Sequence, residues 1–292
     1  MLLGCLGIIV ISFVEGSAFK FINESKNRNY ITFILTLSTV LGMILLSVIP
    51  SYIIKGEFDA STELSFFFSK WFYLSLFLEI AGMWLYREAY LVYKEKYTIV
   101  NMFMFSTVFL MPLYAFIMNG ITGLNNKITA IDSLNEAIIT SLILFVGVFV
   151  YFYNKFKLKE ITDLKILVAL SFCMLNAMYF SVKLIQSYNG IILYSIICFI
   201  VALNFLVTAI YKKETLEVEE KGTKFNLIVI AKTFMQFIYV KSVAFVPVEI
   251  VPIVRRLAQL SAGLVIDRKS LDKYEISGIL IIVSIFIYNI LK

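Results

Sequence analysis

The sequence predicts an all-α membrane protein of ten transmembrane helices in two sets of five. Three observations point there. Apolar residues fill 60% of the 292 positions and charged residues only 16%, against about 45–50% and about 25% in a soluble domain. Mean hydropathy is +0.88, more apolar surface than a soluble fold of this size can hide. The apolar residues also gather into runs of about 20, the length that crosses a hydrocarbon core as helix. Composition thereby excludes a soluble enzyme, a nucleic-acid-binding domain and a disordered chain.

Ten such runs are read in order. Each is helical because an open strand edge cannot face lipid. Leu2 to Phe19 comes first; it lacks a basic leading region and Phe19-Lys20 is a poor cleavage site, so it reads as a helix rather than a signal peptide. Tyr30 to Ile49 and Phe66 to Leu85 follow, the latter closed by Arg87 and Glu88. Ile99 to Met118 is interrupted by Pro112. Next come Ala137 to Tyr153, Ile166 to Ile185, Ile191 to Tyr211 and Phe225 to Phe245. Pro247 and Pro252 flank the entry to Glu249 to Ile266, and Ile276 to Leu291 ends the series. Proline kinks a membrane helix and frees carbonyls, which is tolerated beside a cavity. The longest polar stretches are Lys55 to Ser65, Thr122 to Glu136 and Lys212 to Lys224, so no second soluble domain is expected.

The stretch from Ile80 (IAGMWLYREAYLVYKEKYTIV) lies over that from Ile230 (IAKTFMQFIYVKSVAFVPVEI). Identity is low, but both read as a long helix, a tight basic turn and a helix entering at once. A five-plus-five duplication fits, with residues 1–154 as the first repeat and 155–292 as the second. The loops after runs 1, 3, 5, 7 and 9 hold 17 of the 26 Lys and Arg; those after even runs and the C-terminus hold five when Lys183 and Lys241, near the ends of their runs, are counted with them, and four lie further inside runs. The positive-inside rule then makes the odd-numbered loops cytoplasmic and turns both termini outward.

Several chemistries are missing. There is no His, so no imidazole serves as base, metal ligand or switch. Cys5, Cys173 and Cys198 sit in apolar runs without zinc spacing and do not suggest a disulfide framework. No HExxH, GxSxG, Walker loop or paired acidic metal motif occurs. No enzyme activity, cofactor or metal is expected.

The informative residues are charges inside the runs, since a charge at the bilayer centre costs roughly 2.5–3.5 kcal/mol on insertion scales and usually faces a cavity or a partner. Arg255 and Arg256 lie within EIVPIVRRLAQLSAGLVI, far from either end of the run. A guanidinium stays charged and matches phosphate or carboxylate oxygens in bidentate fashion. They read either as an anion clamp or as a structural pair with Glu249, seven residues before Arg256 and on nearly the same face. Because neighbours project about 100° apart, one arginine at a time can face a ligand. Lys232, Gln236 and Tyr239 form a polar stripe at i, i+4 and i+7. Lys183 ends the sixth run. Both lysines can line a cavity or snorkel to an interface. Glu15 and Glu79 are the acids nearest mid-membrane and read as proton carriers or as charge balance. Lys70 reads as snorkelling. Among the 17 Tyr, 27 Phe and two Trp, Trp71, Tyr73 and Tyr153 fit interfacial belts, while Trp84, Tyr86, Tyr90 and Tyr179 either pack or line a cation–π pocket.

The end of the chain, FVPVEIVPIVRRLAQLSAGLVIDRKSLDKYEISGILIIVSIFIYNI, resembles the drug/metabolite transporter superfamily (EamA-like). The start, FVEGSAFKFI, is similar to that family's first-helix Gly-Ser signature, with Glu15 where a Trp is usual. The layout covers the whole chain, the recognisable residues about its last fifth. The resemblance implies ten helices as two five-helix inverted repeats. VPIVRRLAQLSAGLVIDRKS is most similar to helix 9 of the triose-phosphate and nucleotide-sugar branch, where a Lys-Arg pair holds the substrate phosphate. Arg255 and Arg256 fall on that pair, and Lys183 near a basic position of the sixth helix. The family places its termini in the cytoplasm, opposite to the charge count.

The function expected is secondary transport by alternating access of a small solute bearing phosphate or carboxylate. Arg255, Arg256, Lys232, Gln236, Tyr239 and Lys183 would bind it; Glu15, Glu79 and Glu249 would couple or balance charge. The competing readings are an exporter of amino acids or amines and a non-transporting subunit of a glycan- or lipid-modifying complex. Expected partners are the solute and the bilayer, a homodimer being compatible, and no nucleic acid. The expected location is a bacterial plasma membrane, crossed many times.

Overall fold

The computed structural model describes residues 3–12, 27–49, 64–93, 97–124, 129–154, 163–188, 190–216, 223–267 and 271–291. These form ten helices, numbered here in chain order: α1 Leu3–Ser12, α2 Arg28–Met43, α3 Lys70–Val92, α4 Tyr97–Thr122, α5 Leu134–Phe152, α6 Leu164–Ser187, α7 Gly190–Tyr211, α8 Thr223–Val243, α9 Val251–Asp267 and α10 Lys273–Leu291. A short π turn, Ile44–Val48, prolongs α2, and a 3-10 turn, Ser65–Phe68, precedes α3. No strand occurs among the described residues.

Each helix overlaps one of the ten apolar runs; α3 continues to Val92, seven residues past its run, so Arg87 and Glu88 lie within the helix rather than closing it. Seven (α2, α4, α5, α6, α7, α8 and α10) are long and apolar enough to cross a membrane, so the protein is a multi-pass membrane protein. Ten spans exceed that set. The described part of α1 is short, α9 has 17 residues including both arginines, and α3 includes Lys70, Glu79, Arg87 and Glu88. In α3 and α9 it is the charges within the run that lower its apolarity, so candidate site residues lie in spans outside the seven.

Local sequence explains where the helices start and stop. Asp272 accepts from the Glu275 N–H at 2.8 Å while Glu275 accepts from the Asp272 N–H at 2.7 Å, a reciprocal cap at the start of α10. Ser133 caps α5 and Asp163 caps α6 in the one-sided form. Gly123, at φ 64°, follows α4 in the left-handed turn that ends helices. Pro112 is accommodated inside α4, and Pro252 occupies the first turn of α9, where a missing N–H costs nothing.

The helices pair as α2 with α7, α3 with α6, α5 with α10, α4 with α5 and α6, α2 with α8, and α4 with α9. Glycines mark the closest approaches. Gly147 of α5 and Gly278 of α10 face each other, and Gly4 and Gly7 of α1 lie against Ser242 and Val246 at the end of α8. Small residues let membrane helices approach and gain packing where no hydrophobic drive exists.

The loops divide between two faces, as alternating spans require. On one, Arg87 donates to Asn29 and Asn29 to Glu214, Tyr93 meets Asp163, and Asn154 meets Asp272. On the other, Phe66 meets Tyr188, and Gln186 donates to the Val243 and Val246 carbonyls. The first face belongs to the odd-numbered, Lys- and Arg-rich loops.

Candidate functional site

Among the described residues, two polar clusters in the apolar interior bear on function. In the first, Glu79 of α3 accepts a hydrogen bond from Ser181 of α6 at 2.8 Å, and Ser181 lies 3.1 Å from the hydroxyl of Ser75, one turn before Glu79. Gln236 of α8 donates through Nε2 to the Tyr194 hydroxyl of α7 at 2.9 Å. The Tyr194 and Tyr239 rings lie 6.2 Å apart, and the Arg255 guanidinium sits 5.7 Å from the Tyr239 ring. Glu79, Tyr239 and Arg255 all act electrostatically on the Tyr194 hydroxyl, so the acid and the arginine lie within electrostatic reach of one phenol. Five helices converge here. A charge in such low-dielectric surroundings acts more strongly than in water, and a ring under a guanidinium adds roughly 0.5–2 kcal/mol.

The second cluster lies toward the face of the even-numbered loops. Lys183 of α6 is fully buried and acts on Glu249, itself 3% exposed, in the turn between α8 and α9. Glu249 also accepts from the Ala130 backbone, in the segment between α4 and α5. Beside them the Tyr179 hydroxyl donates to Asn119 at 3.0 Å and meets Thr122 at 3.3 Å. Tyr114 donates to Asn176 deeper along α4.

The sequence expectations divide accordingly. Arg255, Gln236 and Tyr239 come together in the first cluster, joined by Glu79. Arg256 is buried and donates to Gln259 on its own helix at 2.6 Å. The two neighbours thus take different directions, as the helix angle requires. Lys183 does not snorkel: it is fully buried, and Glu249 in the α8–α9 turn acts on its charge. Glu249, expected as the partner of Arg256, acts on Lys183 of another helix. Lys232 is half-buried on α8, one turn before Gln236, at the level where Thr233 meets Gly42 of α2. Glu15, with the FVEGSAFKFI stretch from residue 13 on, lies outside the described residues, as does the Tyr90 side chain. Trp84 is 51% exposed and points outward rather than lining a pocket, while Trp71 stacks on Phe180.

Sequence reading missed Ser75, Ser181 and Tyr194. Ser75 could have been found, because it precedes Glu79 by four residues on an apolar helix. Tyr194 could not: a tyrosine near a helix start looks like an interfacial anchor. No group of three potential metal ligands occurs among the described residues. A scan against models of known protein families gives no match, and neither does a search of curated proteins.

Proposed function

We propose that the chain is a secondary transporter that moves a small solute bearing an anionic group, by alternating access between two five-helix halves. The observation that carries this is the convergence of Glu79, Ser181, Tyr194, Gln236 and Arg255 from five helices of both halves. Intramembrane charges collected at one place, rather than spread along interfaces, are what a solute pathway requires.

The helix pairing supports the two halves. Adding five to each helix number turns α3–α6 into α8–α1, α2–α8 into α7–α3 and α4–α5 into α9–α10, and all of these pack, whereas α3–α4 and α7–α8 pack more closely than their counterparts α8–α9 and α2–α3. The pairs α2–α7, α4–α9 and α5–α10 map onto themselves. An odd number of helices per half makes such a repeat inverted, the arrangement that provides two exchangeable conformations around a midplane site. Polar ties between the halves occur at both faces: Asn29 with Glu214 on one, Ala130 with Glu249 on the other. Such contacts can be broken and remade in turn, whereas the apolar seams between them stay packed.

Membership of the drug/metabolite superfamily rests on the Arg-Arg helix and the terminal layout. In that scheme Arg255 grips the anion and Lys183 with Glu249 belongs to the closure on one side.

Thermal stability of the purified protein tests the reading against phosphorylated metabolites, carboxylates, amino acids and quaternary amines. A bound solute at about 100 times its Kd stabilises by about 2.7 kcal/mol. The expected result is stabilisation by an anionic or carboxylate-bearing solute, lost in Arg255→Gln, and counterflow of that solute in liposomes. Binding that survives Arg255→Gln unchanged overturns the anion grip. A stable protein partner, with no solute moved in liposomes, points instead to the subunit reading.

A further inference from the structure

The start of α2 is capped from the other half of the molecule. Asn27 stands at the N-cap position, where an asparagine oxygen ordinarily accepts from the N–H groups two and three residues on. Its side chain makes no such bond. Those two N–H groups, of Asn29 and Tyr30, go instead to Glu214 beyond the end of α7, at 2.9 and 3.2 Å. The Asn29 side chain donates to the other Glu214 oxygen and accepts from Arg87 of α3. A carboxylate only accepts and a guanidinium only donates, which fixes the orientation of that amide. Asn27 meanwhile donates through Nδ2 to the Thr215 carbonyl at 3.2 Å. Asn27 and Asn29 are both buried, so leaving their polar groups without partners would be costly. Further along α2, Ile31 and Leu35 pack on Phe225 and Ile228 of α8. At this face α2 of the first half is thus held by α7 and α8 of the second.

We infer that this clasp is the gate of the Lys- and Arg-rich face, and that it opens by an exchange of caps on α2. This rests on the transporter reading and adds how access to its site is controlled. With the face closed, Glu214 caps α2 across the halves. As α2 leaves α7 and α8, Asn27 parts from Thr215 and turns to its own helix. Its oxygen then takes the Asn29 and Tyr30 N–H groups that Glu214 gives up. Glu214 and Arg87, both half-buried, pass to water. The backbone donors are satisfied in both states, which keeps the two conformations close in free energy, as a switching element requires. A permanently packed helix is served as well by its own N-cap residue. A cap supplied by the opposite half makes the start of α2 depend on the contact between halves.

The test is thiol labelling of the purified full-length protein in nanodiscs, where both faces are open to the reagent. Cys5, Cys173 and Cys198 are first replaced by Ser. Leu35→Cys reports this face, because Leu35 is fully buried against α8 and two turns inside α2, clear of a frayed first turn. Ile131→Cys, at a buried position beside the Ala130–Glu249 contact, reports the opposite face. Glu214→Ala removes the cap across the halves. It should speed labelling at Leu35→Cys by about fivefold, the equilibrium factor that one typical cap is worth. It should also slow labelling at Ile131→Cys, because the two faces open in turn. Asn27→Asp keeps a capping oxygen but loses the donation to Thr215, and should shift both rates in the same directions without touching Glu214. In the Glu214→Ala background, Asn27→Asp should unfold at a higher midpoint than Asn27→Ala, a difference that shrinks or reverses when Glu214 is present.

If both labelling rates rise together, or neither responds, the gate is overturned and the clasp only holds the fold. If Asn27→Asp and Asn27→Ala unfold alike without Glu214, the exchange of caps is overturned. Solute counterflow in liposomes separates this from the wider reading. Opposite shifts in a protein that moves no solute keep the clasp as a two-state contact and remove the transporter. Solute movement with rates that ignore Glu214→Ala removes the gate and keeps the transporter.

Discussion

Lys183 has none of its surface exposed, and its charge is answered by Glu249. Taking two charges out of water is costly, and removing one partner leaves the other uncompensated, at about 3–5 kcal/mol. Lys183→Met and Glu249→Gln are each expected to destabilise the protein by about 3 kcal/mol. The double variant should recover most of that loss, because no uncompensated charge is left buried. A denaturation cycle of the four proteins checks this; additive losses would show that the two groups act independently. The sequence identified both residues as intramembrane charges, yet it paired Glu249 with Arg256 along one helix. Spacing along a helix reveals neighbours on that helix only. The lysine of another helix enters only when α6 packs beside the α8–α9 turn.

Single elements hold further predictions. A Cβ on Gly278 would lie 2.5 Å from the Tyr151 backbone nitrogen and 2.6 Å from the Gly147 carbonyl oxygen. Backbone cannot yield as a side-chain tip can, so Gly278→Val should force α10 away from α5 and cost about 1–3 kcal/mol or more, read as lowered thermal stability. Gly120 in α4 has nothing within 4 Å of such an atom. Gly120→Ala should therefore be neutral or stabilise by up to about 1 kcal/mol through helix propensity.

The end of α7 is a third case. Lys213 adopts φ 53°, a left-handed conformation, while the Glu214 N–H reaches back to the Ala209 carbonyl at 3.0 Å. This helix-ending turn aims Glu214 at the start of α2, where it accepts from the Asn29 and Tyr30 N–H groups at 2.9 and 3.2 Å. A lysine pays for that turn, and Lys213→Gly is expected to stabilise by about 1 kcal/mol. An unchanged or lowered unfolding midpoint would count against this. The mixed-charge segment Lys212 to Lys224 read as a solvated loop, and its Glu214 as one acid among several. Its capping of a distant helix is not visible in local composition.

For the whole molecule, the alternation of loops between two faces gives a direct test of orientation. With Cys5, Cys173 and Cys198 replaced by Ser, a cysteine at Asn135 should react with a membrane-impermeant thiol reagent in intact cells. One at Lys212 should react only after permeabilisation, because the Lys- and Arg-rich face stays inside. The reverse pattern would restore the orientation usual for the family that the chain resembles.

What the sequence determined by itself is the class of the molecule and the place of its helices. A bilayer demands about 20 apolar residues with every backbone group satisfied internally, so composition and run length dictate helix after helix without knowledge of their packing. It also singled out Arg255, Glu79 and Lys183, because a charge in an apolar run is conspicuous wherever it sits. Tertiary structure decided which of these charges share a site. Arg255 and Glu79 are 176 positions apart and come within electrostatic reach of Tyr194, whereas Arg256, one position from Arg255, turns to Gln259. Gln236 was marked by its polar stripe, but its hydrogen bond with Tyr194 emerges only once α7 and α8 lie side by side. The physical reason is that helices form from local bonds, while the chemistry of a buried site comes from side chains brought together across helices, and no periodicity within one helix encodes its neighbours.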